Sequence, residues 1–155
     1  MQYLAFMIYK LTALIVIICA AALFTAAHFS SPPENLGITG GNLSPCPNSP
    51  NCVSSQETNK DHKIQSLKAS GSNKTVMKKL RSCIRKMGGK ITTRSGPYLH
   101  AEFRSKWFRF VDDLECIYDE AEGKIDVRSA ARLGYSDFGV NKKRLEELRK
   151  LFEKE

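Results

Sequence analysis

The feature that most constrains this chain is an uncharged apolar run, Leu11–Phe29, which follows Lys10 and precedes Glu34, the next charged residue. A helix over this run spans ~28 Å, close to the ~30 Å hydrocarbon core of a bilayer. Because the only nearby basic residue precedes the run, the positive-inside bias keeps residues 1–10 in the cytoplasm. The sequence therefore predicts a single-pass membrane protein whose C-terminal part lies outside the cytoplasm.

The same run has a second interpretation as a cleaved signal peptide, which would release the C-terminal part from the membrane. Signal peptides usually have an apolar core of about 7–15 residues, and this run is longer. We therefore favour an uncleaved signal-anchor over residues 11–29. Lipidation of Cys19 is not expected, because Ile18 stands where the processing enzyme needs a small residue.

Residues 30–55 are rich in Pro, Gly, Ser and Asn, and they predict a linker. Cys46 and Cys52 lie near its end. Outside the cytoplasm, oxidising conditions favour a disulfide between them, and the turn-forming residues in between allow the two to approach. Zinc is the weaker interpretation, because two thiolates without a suitably spaced His pair do not complete a site. We expect no metal and no cofactor.

A helix is predicted from Lys74 to Met87, where apolar residues recur at helical spacing and Gly88-Gly89 ends the pattern. Its other face is basic. With the net charge of +8, this face suits docking on anionic lipid, although it is also what a soluble domain carries for solubility alone. The predicted location outside the cytoplasm argues against nucleic acid as a partner.

Alternating apolar and polar residues after position 97 predict antiparallel strands with one buried face. Two four-residue turns, at 104–107 and 120–123, align apolar residues with apolar residues and acids with bases. The first turn gives the pairs Phe103 with Phe108, Ala101 with Phe110 and Glu102 with Arg109. The second gives Tyr118 with Ile125, Cys116 with Val127 and Glu115 with Arg128.

A last helix is predicted to begin after Asn141 as N-cap, with Val140 and Leu145 placed as a hydrophobic staple. A short strand is expected within His62–Leu67. The fold class that follows is α+β, with residues 56–155 forming a two-layer sandwich. Its antiparallel sheet has four or five strands with two helices on one face, and the transmembrane helix precedes it.

The polar face of the predicted sheet offers one candidate site. His100 with Glu102 or Asp113 could transfer protons, as an envelope hydrolase requires. The simpler interpretation is that alternating acids and bases keep an exposed sheet face soluble. We favour the simpler interpretation and keep the three residues as weak catalytic candidates.

The segment from Arg128 to Asn141 offers a second candidate site. It brings Arg128 and Arg132 close to a helix N-terminus, where free N–H groups favour an anion such as phosphate or carboxylate. Asp137 and Asn141 complete this candidate anion site. In the alternative interpretation Asp137 or Asp112 neutralises the arginines, and Asn141 only caps the helix.

Four stretches carry a family resemblance: CPNSPNCVSS at 46–55, YLHAE at 98–102, RFVDDLE at 109–115 and VRSAARLGYSDFGVNKKR at 127–144. Together they closely resemble the domain of unknown function 1499 family. The family's usual Ser-Ala-Ser-Arg and Val-Gly appear here as Ser129–Arg132 and Leu133–Gly134. The family has no established activity, so the resemblance implies no catalytic residue. Similar members are often bacterial envelope proteins with an N-terminal apolar segment, which implies an inner-membrane protein with its domain in the periplasm.

The leading hypothesis is a membrane-tethered extracytoplasmic module that binds a ligand or partner and does not catalyse a reaction. The membrane is its first partner, through residues 11–29, and an anionic ligand, a lipid surface or an envelope protein is its second. The expected contact surface is the Arg128–Asn141 segment with the polar sheet face.

Overall fold

The N-terminal apolar segment forms one long helix, α1 (Gln2–His28), in the computed structural model, which describes residues 2–155. Met1, part of the segment predicted to lie in the cytoplasm, is outside the described residues. By length and composition α1 can span a membrane, and none of its most apolar stretch is buried. The helix begins before the predicted span because residues 3–9 are themselves mostly apolar and continue the helical turn.

The remainder of the chain forms a sheet and two helices. In chain order the elements are β1 (Cys52–Ser54), β2 (Leu67–Lys68), α2 (Asn73–Lys86), β3 (Lys90–Ser95), β4 (Tyr98–Arg104), β5 (Val111–Asp119), β6 (Lys124–Ala131) and α3 (Val140–Lys154). The strands are antiparallel in the order β1-β6-β5-β4-β3, and β2 also pairs with β6. The predicted α+β class is confirmed. Strand β1 comes from the end of the predicted linker.

Both helices after α1 cover the apolar face of the sheet. Leu80 and Ile84 of α2 and Leu145 and Leu148 of α3 are fully buried in a single core. The strands contribute Leu99, Ala101, Phe103, Leu114, Cys116, Tyr118, Ile125 and Val127 to the same core. Cys83 and Cys116 are buried in this core as free thiols. The opposite face of the sheet is left for polar side chains.

The two hairpins differ in how well the sequence predicts them. The β5–β6 register matches the prediction at all three pairs, including Glu115 with Arg128. The β4–β5 register does not: Phe103 lies opposite Asp112, Ala101 opposite Leu114 and Glu102 opposite Asp113. The predicted four-residue turn is wrong because a six-residue loop, 105–110, closes through hydrogen bonds between Ser105 and Phe110.

The predicted N-cap of the last helix is also wrong. Helix α3 begins at Val140, after Gly139 in the left-handed conformation at φ 77°. Asp137 satisfies the free N–H groups, since its carboxylate accepts from Gly139 N at 3.0 Å and Asn141 N at 2.7 Å. The predicted short strand at 62–67 appears as a single bridge from Lys63 to Ser54 and the two-residue β2.

Candidate functional site

The polar face of the sheet is buried, and the expectation of an exposed, solvated lattice of charges is wrong. Glu115, Asp113, His100 and Arg128 are at most 4% exposed. The covering segment, which we define as residues 30–47, lies across this face. Gly37 N donates to Glu115 Oε1 at 2.8 Å, and the prolines of the segment line the spaces beside the charged residues. Charges in this position are stable only when paired.

Arg132 is the centre of the first charged cluster. Its Nε and Nη2 donate to the two Asp113 oxygens at 2.8 and 2.7 Å, and Nη2 also reaches Glu102 Oε1 at 2.6 Å. Its Nη1 donates to the Ser30 carbonyl at 3.0 Å. This guanidinium explains how two acids, Glu102 and Asp113, can lie opposite each other on neighbouring strands. Burial alone would raise the pKa of each carboxyl, but the Arg132 hydrogen bonds and charge outweigh burial, and both pKa values lie below the usual range.

Glu115 is the centre of the second cluster. One oxygen, Oε1, accepts from the Tyr98 hydroxyl and from Gly37 N, each at 2.8 Å, and the other accepts from Arg128 Nη1 at 2.9 Å. Burial, followed by the charge of Glu115, raises the pKa of the Tyr98 phenol, so the phenol stays protonated and donates. Arg128 Nε is buried without a hydrogen-bond partner. Such an orphaned donor is uncommon in a folded protein.

His100 connects the first cluster to the edge of the sheet. Its Nε2 lies 2.7 Å from Asp113 Oδ1, and its Nδ1 lies 2.5 Å from Thr92 Oγ1. His100 and Asp113 are among the candidates predicted from the sequence, whereas Thr92 is not. The β3–β4 register shifts between Ile91 and Thr93, so Thr92 is the irregular residue of β3. Bulges of this kind often re-aim a side chain beside a functional site, but the pattern of residues in β3 gave no sign of one.

The four residues of the predicted anion site do not come together. Arg128 and Arg132 lie on the polar face, whereas Asp137 caps α3. Asn141 is buried, accepts from Ser129 Oγ at 2.6 Å and donates to the Asn51 carbonyl at 3.1 Å. Its role is therefore to hold α3 and the Cys46–Cys52 loop against β6.

Neither acid of the alternative interpretation neutralises the two arginines. Asp112 lies on the helix-covered face and pairs with Arg144 at 2.6 Å. Burial raises the pKa of Asp112, and the Arg144 charge opposes the shift without cancelling it. The acids that do pair with Arg128 and Arg132 are Glu115, Asp113 and Glu102.

Two cavities flank the covering segment on this face. The first, of about 360 Å³, has Arg128, Arg132 and Asp113 on its sheet side and Pro33, Pro45 and Pro47 on its other side. The second, of about 420 Å³, is lined by Thr92, His100, Glu102 and Tyr98 below Pro33 and Gly37. The segment between α1 and β1 thus divides one polar groove into two chambers.

The sulfur atoms of Cys46 and Cys52 lie 2.06 Å apart, at disulfide distance, beside the first cavity. Among residues 2–155, no group of three or more His, Cys, Asp or Glu side chains is placed to hold a metal ion. The chemistry that the groove offers is therefore hydrogen bonding and ion pairing by arginine, carboxylate, phenol and imidazole groups.

These features define a class of protein: a small α+β domain with a covered, charge-lined groove, joined to an apolar helix that can span a membrane. The family model for DUF1499, a protein of unknown function, matches residues 42–152. The chain belongs to this family, as the resemblance in its sequence implies. A comparison with curated proteins finds no match.

The pairing around Arg132 predicts that two arginine variants differ strongly in their free energy of unfolding. Arg132→Gln leaves Asp113 and Glu102 buried without their main cation, so the free energy of unfolding should fall by ~3–5 kcal/mol. Arg104→Gln removes the other arginine on Glu102, which is one-third exposed, and should cost less than ~1 kcal/mol. Circular dichroism during urea unfolding of the full chain in detergent measures both. An equal fall in the free energy of unfolding for both variants would contradict the prediction that the buried Arg132 pairs contribute more to stability than the Arg104 pair.

Proposed function

We propose that this protein is a membrane-anchored domain on the extracytoplasmic side that binds a small ligand carrying a carboxylate or phosphate group, without catalysis. The observation that carries the ligand proposal is the unpaired, buried Nε of Arg128, a residue that lines the first cavity. The groove beside it is the candidate binding site. The helix α1 and the Cys46–Cys52 pair support the location.

The location follows from charge and redox chemistry. Lys10 precedes the apolar run, and no basic residue follows it until Lys60. This asymmetry favours a cytoplasmic N-terminus. A disulfide is stable in an oxidising compartment such as the bacterial periplasm, and is rare in the cytosol. We therefore place residues 30–155 in the periplasm, with α1 retained as an inner-membrane anchor.

The ligand chemistry follows from the hydrogen-bond balance of Arg128. A buried donor without a partner costs ~1–3 kcal/mol, and a ligand oxygen that reaches Nε would remove that cost. Oxygen anions are the preferred partners of arginine because charge strengthens the hydrogen bond. The prolines and Ala130 and Ala131 give the rest of the cavity apolar walls.

A count of reactive thiols tests the location. The chain has five cysteines, of which Cys19, Cys83 and Cys116 are free. Cells lysed into denaturant with a thiol-reactive polymer should give a chain carrying three labels without reductant and five after reduction. Cys46→Ser is the control, since it should give four labels in both conditions. Five labels without reductant in the unsubstituted protein would contradict a location outside the cytoplasm.

The ligand site is tested by thermal unfolding of the full chain in detergent with inorganic phosphate, acetate or succinate. At least one of these anions should raise the melting temperature, and Arg128→Lys should abolish the rise, because lysine keeps the charge beside Glu115 but lacks Nε. Arg144→Lys is the matched control, since Arg144 lies on the helix-covered face. An equal response of Arg128→Lys and the unsubstituted protein would contradict the proposal.

The second candidate function is ester or amide hydrolysis at the second cavity. The Thr92 hydroxyl, His100 and Asp113 form a continuous hydrogen-bonded chain. With Asp113 accepting from Nε2–H, Nδ1 of His100 can take the Thr92 proton as the hydroxyl attacks a carbonyl, and can return it to the alcohol or amine that leaves. Water, activated by the same nitrogen, would then hydrolyse the acyl-threonine and restore the Thr92 hydroxyl. This candidate ranks second because the same contacts also satisfy the two ring nitrogens of a buried histidine.

A pair of threonine variants tests hydrolysis. If the chain cleaves p-nitrophenyl acetate or butyrate, Thr92→Val should lower the rate at least ~100-fold, the usual contribution of a positioned catalytic group. Thr58→Val, at an exposed threonine that does not line the second cavity, should leave the rate unchanged. Activity that survives Thr92→Val would remove this site.

A further inference from the structure

Aromatic side chains are exposed in two loops of the domain. The hairpin loop 105–110, between β4 and β5, exposes 77% of Trp107 and 45% of Phe108. The connecting loop 132–139, between β6 and α3, exposes 75% of Tyr135 and 91% of Phe138. Single exposed apolar residues are ordinary on a soluble domain, but several of the largest ones in neighbouring loops indicate an interaction surface.

The two loops lie at the same end of the sheet. Strand β5 begins at Val111 and β6 ends at Ala131, and the register pairs Asp112 with Ala131. One residue further along, Arg132 N donates to the Val111 carbonyl at 3.0 Å. The hairpin loop and the connecting loop therefore leave the sheet side by side, and we call this part of the domain the aromatic end.

The helix α1 meets the domain near the same end. It ends at His28, and the Ser30 carbonyl accepts from Arg132 Nη1 at 3.0 Å. Only Phe29, itself 75% exposed, separates the helix from this contact. If α1 crosses a membrane, it therefore leaves the bilayer next to the aromatic end. The single residue between α1 and Ser30 is too short to separate the domain from the bilayer.

The charges of the hairpin loop match a bilayer surface. Arg104, Lys106 and Arg109 lie within or beside the loop, and residues 104–110 contain no acid. The Lys106 ammonium lies over the Trp107 ring, 5.3 Å from its centroid. Tryptophan and tyrosine favour the headgroup region of a membrane, and nearby basic residues favour anionic lipid.

We propose that the aromatic end rests on the bilayer that α1 spans, with Trp107, Tyr135 and Phe138 inserted among the lipid headgroups. This surface differs from the basic face of α2, which is the side of that helix turned away from the sheet. The proposal rests on the proposed membrane anchoring by α1. This contact would hold the domain at the membrane and place the charged groove close to the lipid surface.

The chain provides its own probe, because Trp107 is its only tryptophan. The full chain is reconstituted into phosphatidylethanolamine vesicles containing phosphatidylglycerol. We expect the Trp107 emission to shift to shorter wavelength relative to the urea-unfolded chain. We also expect lipids brominated near the headgroup to quench it, and aqueous iodide to quench it only weakly.

The matched control moves the probe to the opposite end of the sheet. The double variant Trp107→Phe, Glu122→Trp carries its tryptophan in the exposed β5–β6 turn. Iodide should quench this tryptophan strongly and brominated lipid should not. Unsubstituted protein that behaves like the control would overturn the proposal, and protection of Trp107 only in native membranes would assign the surface to a protein partner instead.

Extraction of the vesicles with alkaline carbonate separates the two levels of the inference. Protein that stays with the vesicles but leaves Trp107 open to iodide overturns the docking surface alone. Protein that carbonate removes overturns the anchor, and the docking surface with it. Because the first measurement uses the unsubstituted chain, misfolding of a variant cannot produce either result.

Discussion

The guanidinium of Arg132 is the interaction on which the rest of this structure depends. It accompanies two acids, Glu102 and Asp113, into a buried position and pairs with both, while Arg104 adds a second cation beside Glu102. It also binds the carbonyl of Ser30 and so holds the start of the covering segment over the sheet. Without that segment the polar face would be open to water, and without the arginine the segment would bury uncompensated charge. One side chain therefore sets the architecture of the groove and its electrostatic balance.

The stretches that carry the family resemblance meet in space, and most of their polar residues are joined to one another. Asn51, inside the Cys46–Cys52 loop, donates to the Gly134 carbonyl at 2.6 Å and accepts from Asn141. Arg144 reaches Asp112 across the helix-covered face. These contacts tie the loop, the last strand and the last helix into one unit. Arg128 is joined to Glu115 in the same way, but its buried Nε has no hydrogen-bond partner.

The sequence predicts the parts of the fold that depend on local patterning. The amphipathic α2, the second hairpin and the approach of Cys46 to Cys52 follow from apolar spacing and turn-forming residues. The first hairpin is mispredicted because Phe108 and Phe110 continue the apolar alternation of a strand although they lie in a loop. The pattern predicts a buried Phe108, whereas this side chain is exposed. The covering segment could not be predicted because Pro-rich and Gly-rich composition indicates irregular chain but not its path. Because the path of this segment is not predictable, the sequence indicates a solvent-exposed polar face where the structure has a buried one. Thr92 is not predicted as a site residue because its position depends on a β-bulge, which the side-chain pattern does not encode.

The contact between Arg132 and Ser30 has a mechanical consequence. Between the last turn of α1 and a hydrogen bond to the arginine of the groove there is one residue, Phe29, and therefore almost no slack. If α1 spans a membrane as proposed, a tilt of the helix would displace the Ser30 carbonyl and, through the same guanidinium, the Asp113 and Glu102 carboxylates. The geometry of the groove would then depend on the orientation of the helix that precedes it.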